Sequence, residues 1–207
     1  MFMFKLNRIS SAVLVSGAII ANLSLSTCAL AAENYIGAGL SAYTRSNVKC
    51  GFDDPCERAG TNTGKIYAGH MFDTLPYNGF NITHGIEAMG YQVGANKASY
   101  LYRHKQMAGA GESSGVGLLY KLEVSFNNDF SIYSRLGTSY GRSSVKFASG
   151  MNESSSSWFA PVVGLGAKYA MTKNISLVAD WDRLPSRYND AHKSVNNMFS
   201  LGVNYAF

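Results

Sequence analysis

The sequence contains no run of lysine and arginine, few cysteines and, after its first 31 residues, no apolar run long enough for a membrane-spanning helix. Such a helix needs roughly 20 apolar residues, so we do not predict a membrane-spanning helix in this part of the chain. The absence of a basic run or basic helix argues against a nucleic-acid partner. The Gly-rich strings also lack the Lys and Ser/Thr pattern of a phosphate-binding loop.

The first residues have the layout of a secretory signal peptide. Lys5 and Arg8 precede a mostly apolar stretch, and Ala29 and Ala31 are small residues at the positions that a signal peptidase reads. We expect residues 1–31 to be removed, with cleavage after Ala31 or one residue later. A lipoprotein signal with Cys28 as the lipidated residue is the alternative, although the preceding threonine matches that motif poorly.

Two cysteines remain in the exported chain. Cys50 and Cys56 lie in "CGFDDPCER", where Gly51 and Pro55 suit a tight loop. In an oxidising compartment this spacing predicts a disulfide. Closing so small a ring stabilises by about 2 kcal/mol in the chain-entropy model, so its expected use is to stiffen a surface loop. A zinc site is not expected, because a second pair of ligands at zinc spacing is missing.

Apolar residues alternate with small or polar residues along the chain. The clearest example is "VGLLYKLEVSF" at residues 116–126, which places Val116, Leu118, Tyr120, Leu122, Val124 and Phe126 on one face. A strand sorts such residues onto two faces, whereas a helix would scatter them. The same pattern occurs in "YIGAGLSAY", "KIYAGHMF", "FNITHGIEAMGY", "FSIYSRLGTSYG", "PVVGLGAKYA", "ISLVADW" and "FSLGVNYAF". The sequence therefore predicts eight strands, with Tyr43 on the same face as Tyr35.

The connections between these strands alternate in length. "NND" and "MTKN" are short, while the segments 45–63, 92–114, 143–157 and 183–196 are long and polar. Strands of about ten residues, with short turns on one rim and long loops on the other, are typical of bacterial outer-membrane barrels. Since backbone groups in lipid must be paired, the sheet must close. "DTLPYNG", between strands two and three, is longer than a periplasmic turn usually is.

We therefore predict an all-β protein, an eight-stranded antiparallel transmembrane up-and-down β-barrel over residues 32–207. The Gly- and Ser-rich face suits the crowded interior of a narrow barrel, and the aromatic residues near strand ends suit a girdle at the lipid interface. The last strand ends with Tyr205 and Phe207 on the apolar face. A lipocalin-like soluble barrel, whose apolar face points inward, is the alternative.

Several of these segments resemble a known family. "VGLLYKLEVSFNNDFSIYSRLG", "PVVGLGAKYAMTKNISLVADW" and "FSLGVNYAF" resemble strands four to eight of the OmpA-type transmembrane domain, and "NYIGAGLSAY" and "GIEAMGY" resemble strands one and three. The resemblance implies a Gram-negative outer-membrane location and insertion by the barrel assembly machinery, which recognises the C-terminal aromatic strand through Tyr205 and Phe207. We expect a small stand-alone barrel similar to OmpX, without a peptidoglycan-binding domain.

The resemblance also implies a charged network inside the barrel. The residues on the inward face by motif are Glu87, Lys121, Glu123, Arg135, Lys168 and Asp180. Isolated charges in a narrow barrel are costly, so we expect these groups to pair with one another. Val178 stands where the family usually has an arginine, and Lys168 where it often has an acid. The family's particular ion pairs are therefore not expected to transfer unchanged.

Three functions follow from this sequence. The first is a structural or surface-interaction role in envelope integrity, adhesion or resistance to host factors, carried by the long loops. In "YLYRHKQ", the residues Tyr100, Tyr102, Arg103 and Lys105 could contact lipopolysaccharide phosphates or a host surface ligand. The second is a narrow porin with a small conducting path.

The third and least favoured function is a lipid A-modifying enzyme. The segment "HKSVN", from His192 to Asn196, resembles the His-x-Ser-Asn motif of outer-membrane lipid A deacylases. The asparagine is displaced by one position, and no acid follows to orient the histidine. We expect no enzyme activity, no metal and no cofactor. The expected partners are outer-membrane lipid, lipopolysaccharide, the assembly machinery and host surface ligands.

Overall fold

The computed structural model describes residues 33–46, 63–102, 105–127, 129–147, 154–188 and 192–207. These residues form eight antiparallel strands that close into one barrel. The strands are β1 (Glu33–Ser46), β2 (Gly64–Tyr77), β3 (Phe80–Tyr102), β4 (Lys105–Ser125), β5 (Phe130–Phe147), β6 (Ser154–Ala170), β7 (Ile175–Tyr188) and β8 (His192–Ala206). Each strand pairs with the next, and β1 pairs with β8, which confirms the predicted up-and-down barrel. In this described part of the chain, no helix is long and apolar enough to cross a membrane.

The two faces of the wall follow the predicted alternation. On β4, Leu118 is 63% exposed on the outside, whereas its neighbour Leu119 is 1% exposed inside the barrel. On β8 and the residue after it, the outward side chains are Phe199, Leu201, Val203, Tyr205 and Phe207, and all of them are exposed. An apolar outer surface around a polar interior is the arrangement of a barrel in lipid and the reverse of a lipocalin.

The strands are longer than the ten residues expected, and range from 14 to 23 residues. Most of the segments 92–114, 143–157 and 183–196, predicted as loops, belong to strands. For example, β3 and β4 remain paired as far as Tyr102 and Lys105. The prediction failed because polarity marks where the membrane band ends, whereas backbone pairing continues beyond it.

The barrel has two different ends. The strands β1, β3, β5 and β7 end at one end of the barrel, at Ser46, Tyr102, Phe147 and Tyr188, and we call it the loop end. The short turns lie at the other end, the turn end. The β2–β3 connection, expected to be long, is a two-residue turn in which Tyr77 pairs with Phe80. Asn78 and Gly79 have φ values of 45° and 84°, and both are positive as a type I′ hairpin turn requires.

A bulge in β1 corrects the predicted position of one aromatic residue. The register with β8 shifts between Ser41 and Tyr43, so that Tyr43 pairs with Phe199 and points outward. Thr44 takes the next inward position and is buried. Because one extra residue reverses the alternation, a strict period of two could not place Tyr43 correctly.

Candidate functional site

Arg135 occupies the centre of the barrel interior. Its side chain is 1% exposed. Its Nη1 donates to Glu87 Oε1 at 3.1 Å, and its Nη2 donates to Asp180 Oδ1 at 2.9 Å and to Asp182 Oδ1 at 2.8 Å. One guanidinium thus joins carboxylates from β3 and β7, on opposite sides of the lumen.

Lys65 completes this group from β2. Its Nζ lies 2.8 Å from Asp180 Oδ2 and 2.5 Å from Asp182 Oδ2. We call Lys65, Glu87, Arg135, Asp180 and Asp182 the central cluster. It holds two cations and three carboxylates, all buried. Such a cluster is tolerated away from water only because each charge has an oppositely charged partner.

A second group lies nearer the turn end. Lys121 Nζ lies 3.0 Å from Glu123 Oε2, and Lys168 forms an ion pair with Glu123 Oε1. We call these three residues the turn-side cluster. It has two cations and one carboxylate, so its formal charge of +1 cancels the −1 of the central cluster. The side chain of Lys168 is 20% exposed and is the most accessible of the three.

Two tyrosines separate the clusters and connect them. Tyr35 donates its hydroxyl to Glu87 Oε2 at 2.8 Å, and Tyr133 donates to Asp180 Oδ1 at 2.5 Å. Lys121 Nζ lies over both rings, 4.6 Å from the Tyr35 centroid and 4.3 Å from the Tyr133 centroid. This position is that of a desolvated cation–π contact. The charge of Lys121 is therefore held by the same rings whose hydroxyls bind the central carboxylates.

An apolar layer follows toward the loop end. Its members are Met89, Val93, Val145, Trp158, Val162, Leu184 and Met198, each at most 6% exposed. Trp158 lies over Gly141, where a side chain would collide with its ring, and donates Nε1 to Ser143 Oγ at 3.0 Å. The lumen is thus charged near the turn end, whereas large apolar side chains fill much of it toward the loop end, beside buried polar groups such as Ser143 and Asn196.

The six charges predicted to face inward all lie inside the barrel, divided between the two clusters. Lys65 and Asp182 also lie in the central cluster but were not among the charges predicted to face inward. Asp182 lies two residues after Asp180 and therefore on the same face, which is a signal that the sequence does contain. Val178, which departs from the family pattern, is buried opposite Lys168 on β6.

Other predicted site residues lie elsewhere. Residues 1–31, Cys50, Cys56 and Arg103 fall outside the described residues. Tyr100, Tyr102 and Lys105 belong to the paired ends of β3 and β4 rather than to a loop.

The two C-terminal aromatic residues lie at the turn end of β8. Tyr205 and Phe207 point outward, with ring centroids 6.2 Å apart. The Phe207 N–H donates to the Asn34 carbonyl at 2.9 Å, which attaches the last residue to β1.

The segment "HKSVN" forms the start of β8 instead of a loop. Its Asn196 is buried inside the barrel and donates Nδ2 to Ser186 Oγ at 3.0 Å. Within the described ranges, no group of three or more His, Cys, Asp or Glu residues could hold a metal ion.

Comparison with known proteins agrees with this architecture. The family described as outer membrane protein beta-barrel domain matches residues 11–207. Outer membrane protein A of Yersinia pseudotuberculosis is 29% identical over 127 residues, which cover 58% of this chain and 36% of that protein. The chain thus spans about a third of the length of this relative.

Solved barrels share the fold at low identity. Ail, the attachment invasion locus protein of Yersinia pestis, is 17% identical with a TM-score of 0.50, covering 84% of this chain and 98% of Ail. Neisserial surface protein A is 15% identical with a TM-score of 0.51, covering 85% and 96% of the two chains.

Proposed function

Since the chain belongs to the family of outer membrane protein beta-barrel domains, we propose that it is a closed scaffold that presents a binding hairpin at the bacterial surface. The protein resides in the outer membrane, so its loop end faces outward in the usual orientation of such barrels. We therefore assign its function to the residues at the loop end.

The observation that carries this proposal is the length of the β3–β4 hairpin. β3 pairs with β2 only as far as Gln92, and β4 pairs with β5 only as far as Gly109. β3 and β4 remain paired with each other as far as Tyr102 and Lys105, and among the described residues the last four pairs, which begin at Ser99 and Ala108, lie beyond both neighbouring ladders. At the usual rise per residue, β3 extends about 30 Å from Gln92 to Tyr102, beyond the end of its ladder with β2.

The composition of the hairpin tip indicates the class of ligand. Tyr100 and Tyr102 alternate with Leu101, and Arg103 and Lys105 flank His104. Cations beside aromatic residues suit an anionic surface ligand, such as an acidic glycan or an acidic protein patch. The filled interior supports the same proposal, because ion pairs and the apolar layer occupy the lumen.

The test is adhesion of cells displaying the barrel to cultured host cells. The Arg103→Gln/Lys105→Gln variant should bind about fivefold more weakly, because two charge contacts with a surface ligand are together worth about 1 kcal/mol. Lys173→Gln is the matched control, since it removes an exposed cation from the turn end. Enzymatic removal of acidic glycans from the host cells identifies the ligand class. Unchanged adhesion of the folded double variant would contradict the hairpin proposal.

A narrow porin is the second candidate, and one observation favours it. In the described part of the lumen, Tyr67 Oη, Ser200 Oγ and Asn204 Oδ1 are buried without a hydrogen-bond partner. Such groups are normally satisfied by water, so we infer that water occupies the lumen beside them. Planar-bilayer recordings distinguish the two functions. Discrete conductance steps that change in Lys121→Ala would favour the porin, and silence from a folded barrel would favour the scaffold.

A further inference from the structure

Two histidines lie on the outer face of the barrel wall, toward its turn end. His70 on β2 pairs with Ile86 on β3, whose side chain is exposed, and cross-strand partners share a face. His84 lies two residues before Ile86 on the same strand and therefore on the same face. The apolar outer surface thus contains two ionisable side chains on neighbouring strands.

An aromatic ring lies between the two imidazoles. The Phe72 centroid is 5.2 Å from that of His70 and 5.2 Å from that of His84. On the other side of β2, Asn34 places its Oδ1 2.9 Å from His70 Nδ1. An amide oxygen can only accept, so Nδ1 carries the hydrogen and Nε2 is left for a ligand. We call His70, Phe72 and His84 the imidazole site.

The imidazole site lies at the level where the bilayer meets the periplasm. The Phe207 N–H donates to the Asn34 carbonyl, and Asn34 pairs with His70 in the β1–β2 ladder. The three rings are therefore close to the level of the aromatic residue that ends the chain, in the girdle of the turn end. Short turns face the periplasm in such barrels. The headgroups of the periplasmic leaflet are thus the polar groups that these imidazoles meet.

The charges around the imidazole site favour an anion. Among the neighbouring side chains that the structure describes on the outer face, none is acidic, and the exposed ones include Ile36, Ile86 and Leu122. Glu33 pairs with Met71, which is buried inside, so Glu33 belongs to the opposite face. Ionisable side chains on a membrane-facing surface are costly unless they meet a partner, and here a lipid anion is the complementary one.

We infer that the imidazole site binds the phosphate of an anionic glycerophospholipid in the periplasmic leaflet. His84 can donate an N–H in either protonation state of its ring, and His70 donates from Nε2 once its ring is protonated. Phe72 lies where it packs against the glycerol and the first methylene groups, as interfacial aromatic residues do. The site is at the turn end, so it is independent of the β3–β4 hairpin and of any ligand bound there.

Native mass spectrometry of the refolded protein tests this inference. The protein is released from detergent micelles that contain equal amounts of phosphatidylglycerol and phosphatidylcholine with the same acyl chains. The parent should retain about fivefold more phosphatidylglycerol, because two charge contacts with the lipid are together worth about 1 kcal/mol. Equal retention of the two lipids by the parent would overturn the inference without any substitution.

The His70→Phe/His84→Phe variant keeps both rings beside Phe72, removes their N–H groups and should lose most of this preference. His84→Phe alone should about halve it, since one of the two contacts remains. Tyr169→Phe is the matched control, because it removes a polar atom from an exposed aromatic ring at the turn end of β6 and should keep the parent's preference. Folding of each variant is checked by heat-modifiable gel mobility.

Three outcomes would refute the lipid site. The first is an unchanged preference in the folded variants that lack one or both imidazoles. The second is displacement of phosphatidylglycerol by an equal concentration of inorganic phosphate, which would assign the site to the free ion. The third is a dimer of the parent that disappears in the His70→Phe/His84→Phe variant, which would assign this surface to a second copy of the chain.

Discussion

Replacing Arg135 by methionine tests whether the central cluster holds the barrel together. The substitution keeps an apolar stem of similar length and removes the cation bonded to Glu87, Asp180 and Asp182. Lys65 then faces three carboxylates alone, and the formal charge of the cluster changes from −1 to −2. Methionine matches arginine as far as Nε and lacks the rest of the guanidinium, so the expected loss is mainly that of its charge and hydrogen bonds.

The structure gives the size of this effect. Three hydrogen bonds to charged groups, at about 1.5–3 kcal/mol each, set an upper limit of about 5–9 kcal/mol. Relaxation and water entry reduce this value, and removing one partner of a buried ion pair typically costs about 3–5 kcal/mol. We therefore expect Arg135→Met to lower the free energy of unfolding by about 3–5 kcal/mol.

The assay is urea unfolding of the barrel refolded in lipid vesicles, with the folded fraction read from heat-modifiable gel mobility. Arg142→Met on the same strand is the control, because Arg142 is exposed and its loss should cost about 1 kcal/mol or less. Adding Asp182→Asn to Arg135→Met should restore part of the loss by removing one uncompensated carboxylate. Equal stabilities of Arg135→Met and Arg142→Met would refute this account of the cluster.

Three other changes test the wall, a turn and the last residue. Gly137→Ala should destabilise by about 1–3 kcal/mol in the same urea assay, because a Cβ there meets the backbone of Leu118, whereas Gly90→Ala has room and should be near neutral. Gly79→Ala should cost about 1 kcal/mol, since φ is 84° at that turn position. Phe207→Ala should refold normally in vitro yet reach the outer membrane in lower amounts in cells, as measured by fractionation. Equal amounts of parent and variant in that membrane would contradict a role of Phe207 in insertion.

The alternation of apolar with small or polar residues was sufficient to predict the strands of the barrel wall and which side chains face lipid or lumen. A strand sends alternate side chains to opposite sides, and here lipid and lumen impose opposite preferences on them. Leu119 shows how strong this signal is, because an apolar residue was assigned to the polar interior from its position alone and is buried there.

Lys65 and Asp182, the two members of the central cluster that were not predicted, show what the sequence pattern alone could not provide. Strand β7 was expected to end at Trp181 and the following loop to span 183–196, so Asp182 was not assigned to the inward face of a strand. Lys65 contacts Asp182 from 117 positions away, across a lumen that exists only once β1 pairs with β8. Ion pairs across a closed barrel depend on its closure and on side-chain reach, and neither is encoded in local periodicity.

The order of the layers along the barrel limits where function can reside. An ion entering from the turn end meets the two charged clusters, where each carboxylate already has a cation. Beyond them it meets large side chains such as Val162, Leu184 and Met198, which offer nothing to replace its water, and the buried polar groups beside them, such as Asn196 and Ser186, are bonded to each other. A polar route would need both barriers to open together, at the combined cost of breaking buried ion pairs and hydrating an apolar layer. These two barriers lie inside the barrel, so a ligand can bind the β3–β4 hairpin at the loop end without disturbing the interior.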